Sequence, residues 1–182
     1  MSSLAARVDS DAQLARLLQI GVVLEEVVEV RAHRHYQSLP EAERDADIEA
    51  LLSDASEESA EHRERLEAVI DDLDADSIPF DEVEALVAES YGQTGPEDFD
   101  GVLYDQLHGE ETAYKFYDDL VDAIEASEDA EFSVDRGELL ATLTDIREAE
   151  AAGVEAVADL MQAEEPSDDD GATEDSEEAD ST

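Results

Sequence analysis

The sequence predicts an all-α protein: a bundle of four long helices with one long crossover between the second and third. Three observations lead there. Helical periodicity runs almost unbroken from Asp11 to Ala163. Two of its interruptions, around Pro40 and at EDAEF (128–132), are short, whereas DADSIPFDEVEALVAESYGQTGPEDF between them is long enough to cross a bundle from end to end. No stretch alternates polar and apolar residues for long, so strands are not expected.

The first helix is expected from about Ser10, an N-cap residue, to about Ser38, where Pro40 forbids continuation. The second starts near Asp45 to Asp47 and reaches about Leu73, with Ile48, Leu51, Leu52, Ala55, Leu66, Val69 and Ile70 as its apolar positions. The crossover holds a short helix, about Phe80 to Tyr91. A capping box from Thr94 to Glu97, with Pro96 in the first turn, opens the third helix, which ends near Ser127. Ser133 or Asp135 caps the fourth, which ends near Gln162. Each long helix spans ~40 Å. Residues 1–9 are expected to be a flexible N-terminus and 10–163 the bundle. Residues 164–182, with ten acidic residues and nothing apolar larger than Ala, are expected to be a disordered acidic tail.

Composition narrows the function. The chain has 54 acidic and 10 basic residues, a net charge of -44, with Lys115 the single lysine. Such self-repulsion opposes a compact fold at low salt, and dense periodic apolar residues argue against a disordered chain. Together they fit a halophilic protein working in near-saturated salt, where the Debye length is ~3 Å or less. No basic patch exists for nucleic acid. There is no cysteine, which excludes disulfides, thiolate zinc sites and iron–sulfur clusters. Without a signal peptide or an apolar run of ~20 residues, no membrane is implied and the expected location is cytoplasmic.

One repeat carries chemistry. EVRAHRHY (29–36) and EETAYKFY (110–117) both read Glu-x-x-Ala-x-x-x-Tyr, placing Glu29, Ala32 and Tyr36 of the first helix against Glu110, Ala113 and Tyr117 of the third. Spacings of three and seven put each trio on one face. A Glu on such a face is costly unless it is paired or bound to metal. SAEHRERL in the second helix and EAAGVEAV in the fourth align Ser59 with Glu150 and His62 with Gly153. Residues equally far from a hairpin bend lie at equal height. Glu29 and His62 centre on about residue 45, and Glu110 and Glu150 on 130, so all four are expected to converge at one level.

With these motifs the chain resembles the ferritin-like superfamily, most closely the rubrerythrin-type di-iron carboxylate proteins, over about residues 10 to 163. The resemblance implies a metal site in which helices one and three each give a Glu and helices two and four each give Glu-x-x-His. Here Ser59 stands for one Glu and Gly153 for one His, leaving Glu29, His62, Glu110 and Glu150 as metal ligands. With one bridging carboxylate instead of two, a single ion on Glu29, His62 and Glu150 competes with a dinuclear site. Iron or manganese is the implied cofactor. Glu58, Tyr36 and Tyr117 are accessory candidates, Glu58 as a substitute for the carboxylate missing at Ser59. The resemblance implies peroxide or oxygen handling or iron metabolism, an oxidoreductase activity needing an external electron donor, and a homodimer. The alternative is a non-catalytic helical scaffold or interaction module that has lost its metal.

Overall fold

Local chemistry sets the helix ends. Ser10 Oγ accepts from Gln13 N at 3.2 Å and starts α1 (Asp11–Ser38). A 3-10 turn over Glu41–Glu43 follows Pro40 and leads to Asp45, whose carboxylate accepts from the amides of Asp47 and Ile48 and starts α2 (Ala46–Asp72). α3 (Val102–Glu125) follows Gly101, whose φ of 129° strains any residue with a side chain. Asp135 Oδ1 accepts from Glu138 N at 2.9 Å at the start of α4 (Arg136–Glu164). Of the two expected caps for that helix, Asp135 is the one used. The Arg136 guanidinium donates to the carbonyls of Ile124 and Ser127, placing a cation at the C-terminus of α3.

The computed structural model describes residues 7–76, 79, 81–83, 85, 87 and 101–164, without the side chains of residues 28, 29, 31, 32 and 35. Regular structure among the described residues is entirely helical. The expected capping box at Thr94–Glu97 and the tail from residue 165 lie outside them. No helix among them is long and apolar enough to cross a membrane.

Side-chain staples reveal which ends meet. The Asp11 carboxylate accepts from Ser133 N at 3.1 Å and from Asp74 N at 3.2 Å, and Ser133 Oγ accepts from Asp74 N at 2.9 Å. The starts of α1 and α4 therefore share one end with the close of α2. Val8 joins α3 to the same end: its amide donates to Ser127 Oγ at 2.8 Å and its side chain is fully buried. Of the stretch expected to be flexible up to residue 9, only residues 7–9 are described. Val8 is an apolar plug, and burying it stabilises by about 1.5–3 kcal/mol. At the opposite end Tyr36, Leu52 and Val102 cluster. α1 packs on α2 and α3, α4 packs on α3 and α2, and every neighbouring pair is antiparallel. The connection from Leu73 to Gly101 joins the close of α2 at one end to the start of α3 at the other. Val83 and Val87 within it pack on Val23 of α1. The main core of Leu14, Leu18, Leu66, Leu120, Ile124, Leu143 and Ile146 fills the stapled half.

Candidate metal centre

Midway along the helices the apolar core gives way to a buried polar cluster. Glu25 of α1, His62 of α2 and Glu150 of α4 are 3%, 4% and 5% exposed. Three ionisable groups this deep need partners or an ion. One donor atom from each lies within 4.8 Å of the others. His62 Nδ1 is 3.0 Å from Glu150 Oε1 and 3.4 Å from Glu25 Oε1.

These distances are close, but the oxygens are misdirected for hydrogen bonding, and Nδ1 has no in-line acceptor. A lone pair on Nδ1 would repel two carboxylate oxygens. A proton or a cation must therefore sit among the three atoms, and a cation does not require the N–H···O line that is missing. Bonds of ~2.1 Å to N and O ligands imply ligand–ligand edges of about 3.4 Å in a tetrahedron and about 3.0 Å in an octahedron. The two observed separations fall within this range and the third donor pair lies within 4.8 Å, so the donor set is of a size that could admit a small divalent ion.

Neighbouring groups hold the carboxylate of Glu25 in place. Tyr117 Oη donates to its Oε1 at 2.6 Å, and Ser59 Oγ donates to its Oε2 at 2.7 Å. Such outer contacts fix ligand orientation in metal sites. Burial, then the charge of Glu25, pushes the Tyr117 phenol well above its ordinary range, so it remains a donor. Glu110 lies alongside, lining the same small space as Glu25 and Glu150 and accepting from Gln106 Nε2 at 2.6 Å.

Burial opposes the charged imidazole of His62, but the carboxylates of Glu150 and Glu25 outweigh it and push His62 up to about 10. Burial drives Glu150 up to about 9, with the charges of Glu25 and Glu110 adding to it against the pull of His62. Glu110 is raised too, chiefly by burial. Without an ion the cluster thus gathers protons, which a divalent cation would displace.

The structure brings His62, Glu150 and Glu110 together and adds Tyr117. Glu29 is on α1 one turn beyond Glu25, and its side chain lies outside the described residues. The α1 carboxylate that reaches His62 is Glu25, which the expected ligand set omitted. The signal was present: α1 ends at Ser38 and α2 begins at Ala46, so the bend centres on residue 42, and Glu25 and Ser59 are equidistant from it. Ser59, short where a Glu was expected, leaves room for the Glu25 carboxylate and hydrogen-bonds to it. Glu58, expected as the substitute, is exposed on α2 and stands outside the trio. Tyr36, expected as an accessory group, donates to the Asp45 carbonyl at 2.7 Å and closes the hairpin bend instead. Eleven residues separate it from Glu25, ~16 Å along the helix.

Gly153 leaves no vacancy. A Cβ there would lie 2.4 Å from Glu110 Oε2 and 2.8 Å from its Cδ. The space of the expected His side chain is taken by the carboxyl of Glu110. Comparison with protein-family models, with curated proteins and with solved structures finds no match to this chain. The reading of the site rests on its own geometry.

Proposed function

We propose that the chain is a ferritin-like, metal-binding four-helix bundle that holds a single divalent ion on Glu25, His62 and Glu150. The observation that carries this reading is the buried imidazole Nδ1, without an in-line hydrogen-bond partner, facing two carboxylate oxygens at coordination-edge distances. The connection of α2 to α3 from one end to the other and the antiparallel neighbours also support the ferritin-like assignment.

Iron or manganese suits the one-imidazole, two-carboxylate set, and when bound would supply a redox couple for peroxide or oxygen handling or for iron metabolism. Tyr117 and Ser59 orient the Glu25 carboxylate. Glu110 adds an acidic group at the edge of the site, and the core on the stapled side excludes water. No cysteine is present to hold an electron carrier, so turnover would draw on an external donor.

Metal analysis tests the reading. Protein purified in molar salt without chelator should carry close to one ion per chain. Glu25→Ala and His62→Ala should each lose it while keeping the helical circular-dichroism signal. A metal-free wild type that takes up neither Fe(II) nor Mn(II), or variants that bind as well as wild type, would refute it.

A further inference from the structure

α2 and α4 are the slackest neighbouring pair, and a groove of about 590 Å³ opens between them. Small residues create it: Ala55 on one wall, and Ala152, Gly153 and Ala156 on the other. Its ionisable lining is acidic throughout, with Asp47, Asp54, Glu58 and Asp159 exposed along it and Glu110 at its inner end. In a chain of net charge -44 an acidic lining alone says little. The informative feature is where the groove stops. Glu110 lines it and also lines a second space of about 20 Å³, bounded by Glu25, Ser59, Gln106 and Glu150. Glu110 thus borders both the solvent groove and the space beside the buried cluster, where Glu25 and Glu150 stand at ion-pair distance from His62 Nδ1.

We infer that the α2–α4 groove is the route by which a divalent cation reaches the buried trio, with Glu110 as the carboxylate that passes it inward. This rests on the proposed metal site. The pocket on the α1–α2 face, beside Val22, Ile70 and Val83, shares no lining residue with the small space beside the trio. Along the groove it meets carboxylates that can replace its waters one at a time. Gly153 belongs to the device, because any side chain there would push the Glu110 carboxyl out of the passage. In molar salt long-range steering is screened, so an open path matters more than distant charge.

The test separates rate from affinity. Metal-free protein in molar KCl is mixed with Co(II), and binding is followed by its d–d absorption in stopped flow. Ala55→Leu with Ala156→Leu plugs the groove at partly exposed positions that should not disturb folding. Ala68→Leu, on the exposed face of α2, is the control. The plugged variant should lose the fast association of wild type and control, with its equilibrium affinity unchanged. Glu110→Gln should slow binding and release together. Equal association rates in plugged, control and wild-type protein would overturn the route. Faster release from Glu110→Gln with unchanged association would make Glu110 an equilibrium ligand and overturn its transfer role. If wild type binds no Co(II) at all, the metal reading itself fails, a result distinct from binding that ignores the plug.

Discussion

Gly153→Ala should reverse the usual rule for glycine inside a helix. At an ordinary helical site the change stabilises by about 1 kcal/mol, because Gly loses more backbone entropy on folding. Here the new methyl would lie 2.4 Å from Glu110 Oε2, so that carboxyl must move. It is a flexible tip, but it is anchored by Gln106 Nε2 at 2.6 Å. Losing one hydrogen bond to a charged group costs about 1.5–3 kcal/mol. The net expectation is destabilisation by about 0.5–2 kcal/mol, the difference between the two effects. With Glu110→Ala as background the obstacle is gone, and Gly153→Ala should stabilise by the usual ~1 kcal/mol. Urea unfolding of the four proteins in molar KCl with chelator closes the cycle, with an expected coupling of about 1.5–3 kcal/mol. If the substitution stabilises equally in both backgrounds, the Glu110 carboxyl does not occupy the space above Gly153.

Stability of the metal-free protein should fall as pH rises, because His62 and Glu150 hold protons more tightly folded than unfolded. The Glu150 contribution is complete in acid and lost between about 4.5 and about 9, and the His62 contribution is lost between about 6.5 and about 10. Urea midpoints that rise across this range would contradict the assignment, and Glu150→Gln should flatten the curve. Folding should also require salt: circular dichroism should show helix lost below roughly molar KCl, where screening weakens. Equal helicity and heat stability in dilute buffer would count against it.

Most helix ends were legible because they are decided locally. The start of α3 was not, since it begins at Val102 after Gly101 and not at the expected Thr94. Ser10, Pro40, Asp45 and Asp135 act within four residues of themselves, and the structure uses each where local chemistry puts it. Val8 was not legible. One valine ahead of a helix gives no periodic signal, and its burial depends on Ser127, 119 residues away. The site fell between these cases. His62, Glu110 and Glu150 stand out as polar residues on apolar faces. The Glu-x-x-Ala-x-x-x-Tyr repeat drew attention to Glu29 and Tyr36, yet the bend at residue 42 puts Glu25 level with Ser59. The helix ends expected at Ser38 and Asp45 to Asp47 already centre the bend near 42, which brings the carboxylate one turn before Glu29 level with the second helix. Tyr36 and Tyr117 repeat in sequence and diverge in use, because the first is near a hairpin bend with a carbonyl to satisfy and the second is in mid-helix beside a carboxylate.

The energetics of the cluster bear on whether it is a working site or the remnant of one. A chain of this charge has water-facing positions for its carboxylates almost everywhere, yet Glu25 and Glu150 are buried with a single imidazole between them. Replacing such groups by apolar residues of similar size is often neutral or stabilising by about 1–4 kcal/mol. A scaffold would therefore lose nothing by filling this level with Leu and Met, like the levels packed around Leu66 and Leu143. Glu25 is also held at both oxygens, by a fully buried phenol and by a serine short enough to admit it. Around a cation the same fixed carboxylate would become a preorganised ligand. The physical case for a metal centre over a bare scaffold therefore rests as much on Tyr117 and Ser59 as on the three donor groups.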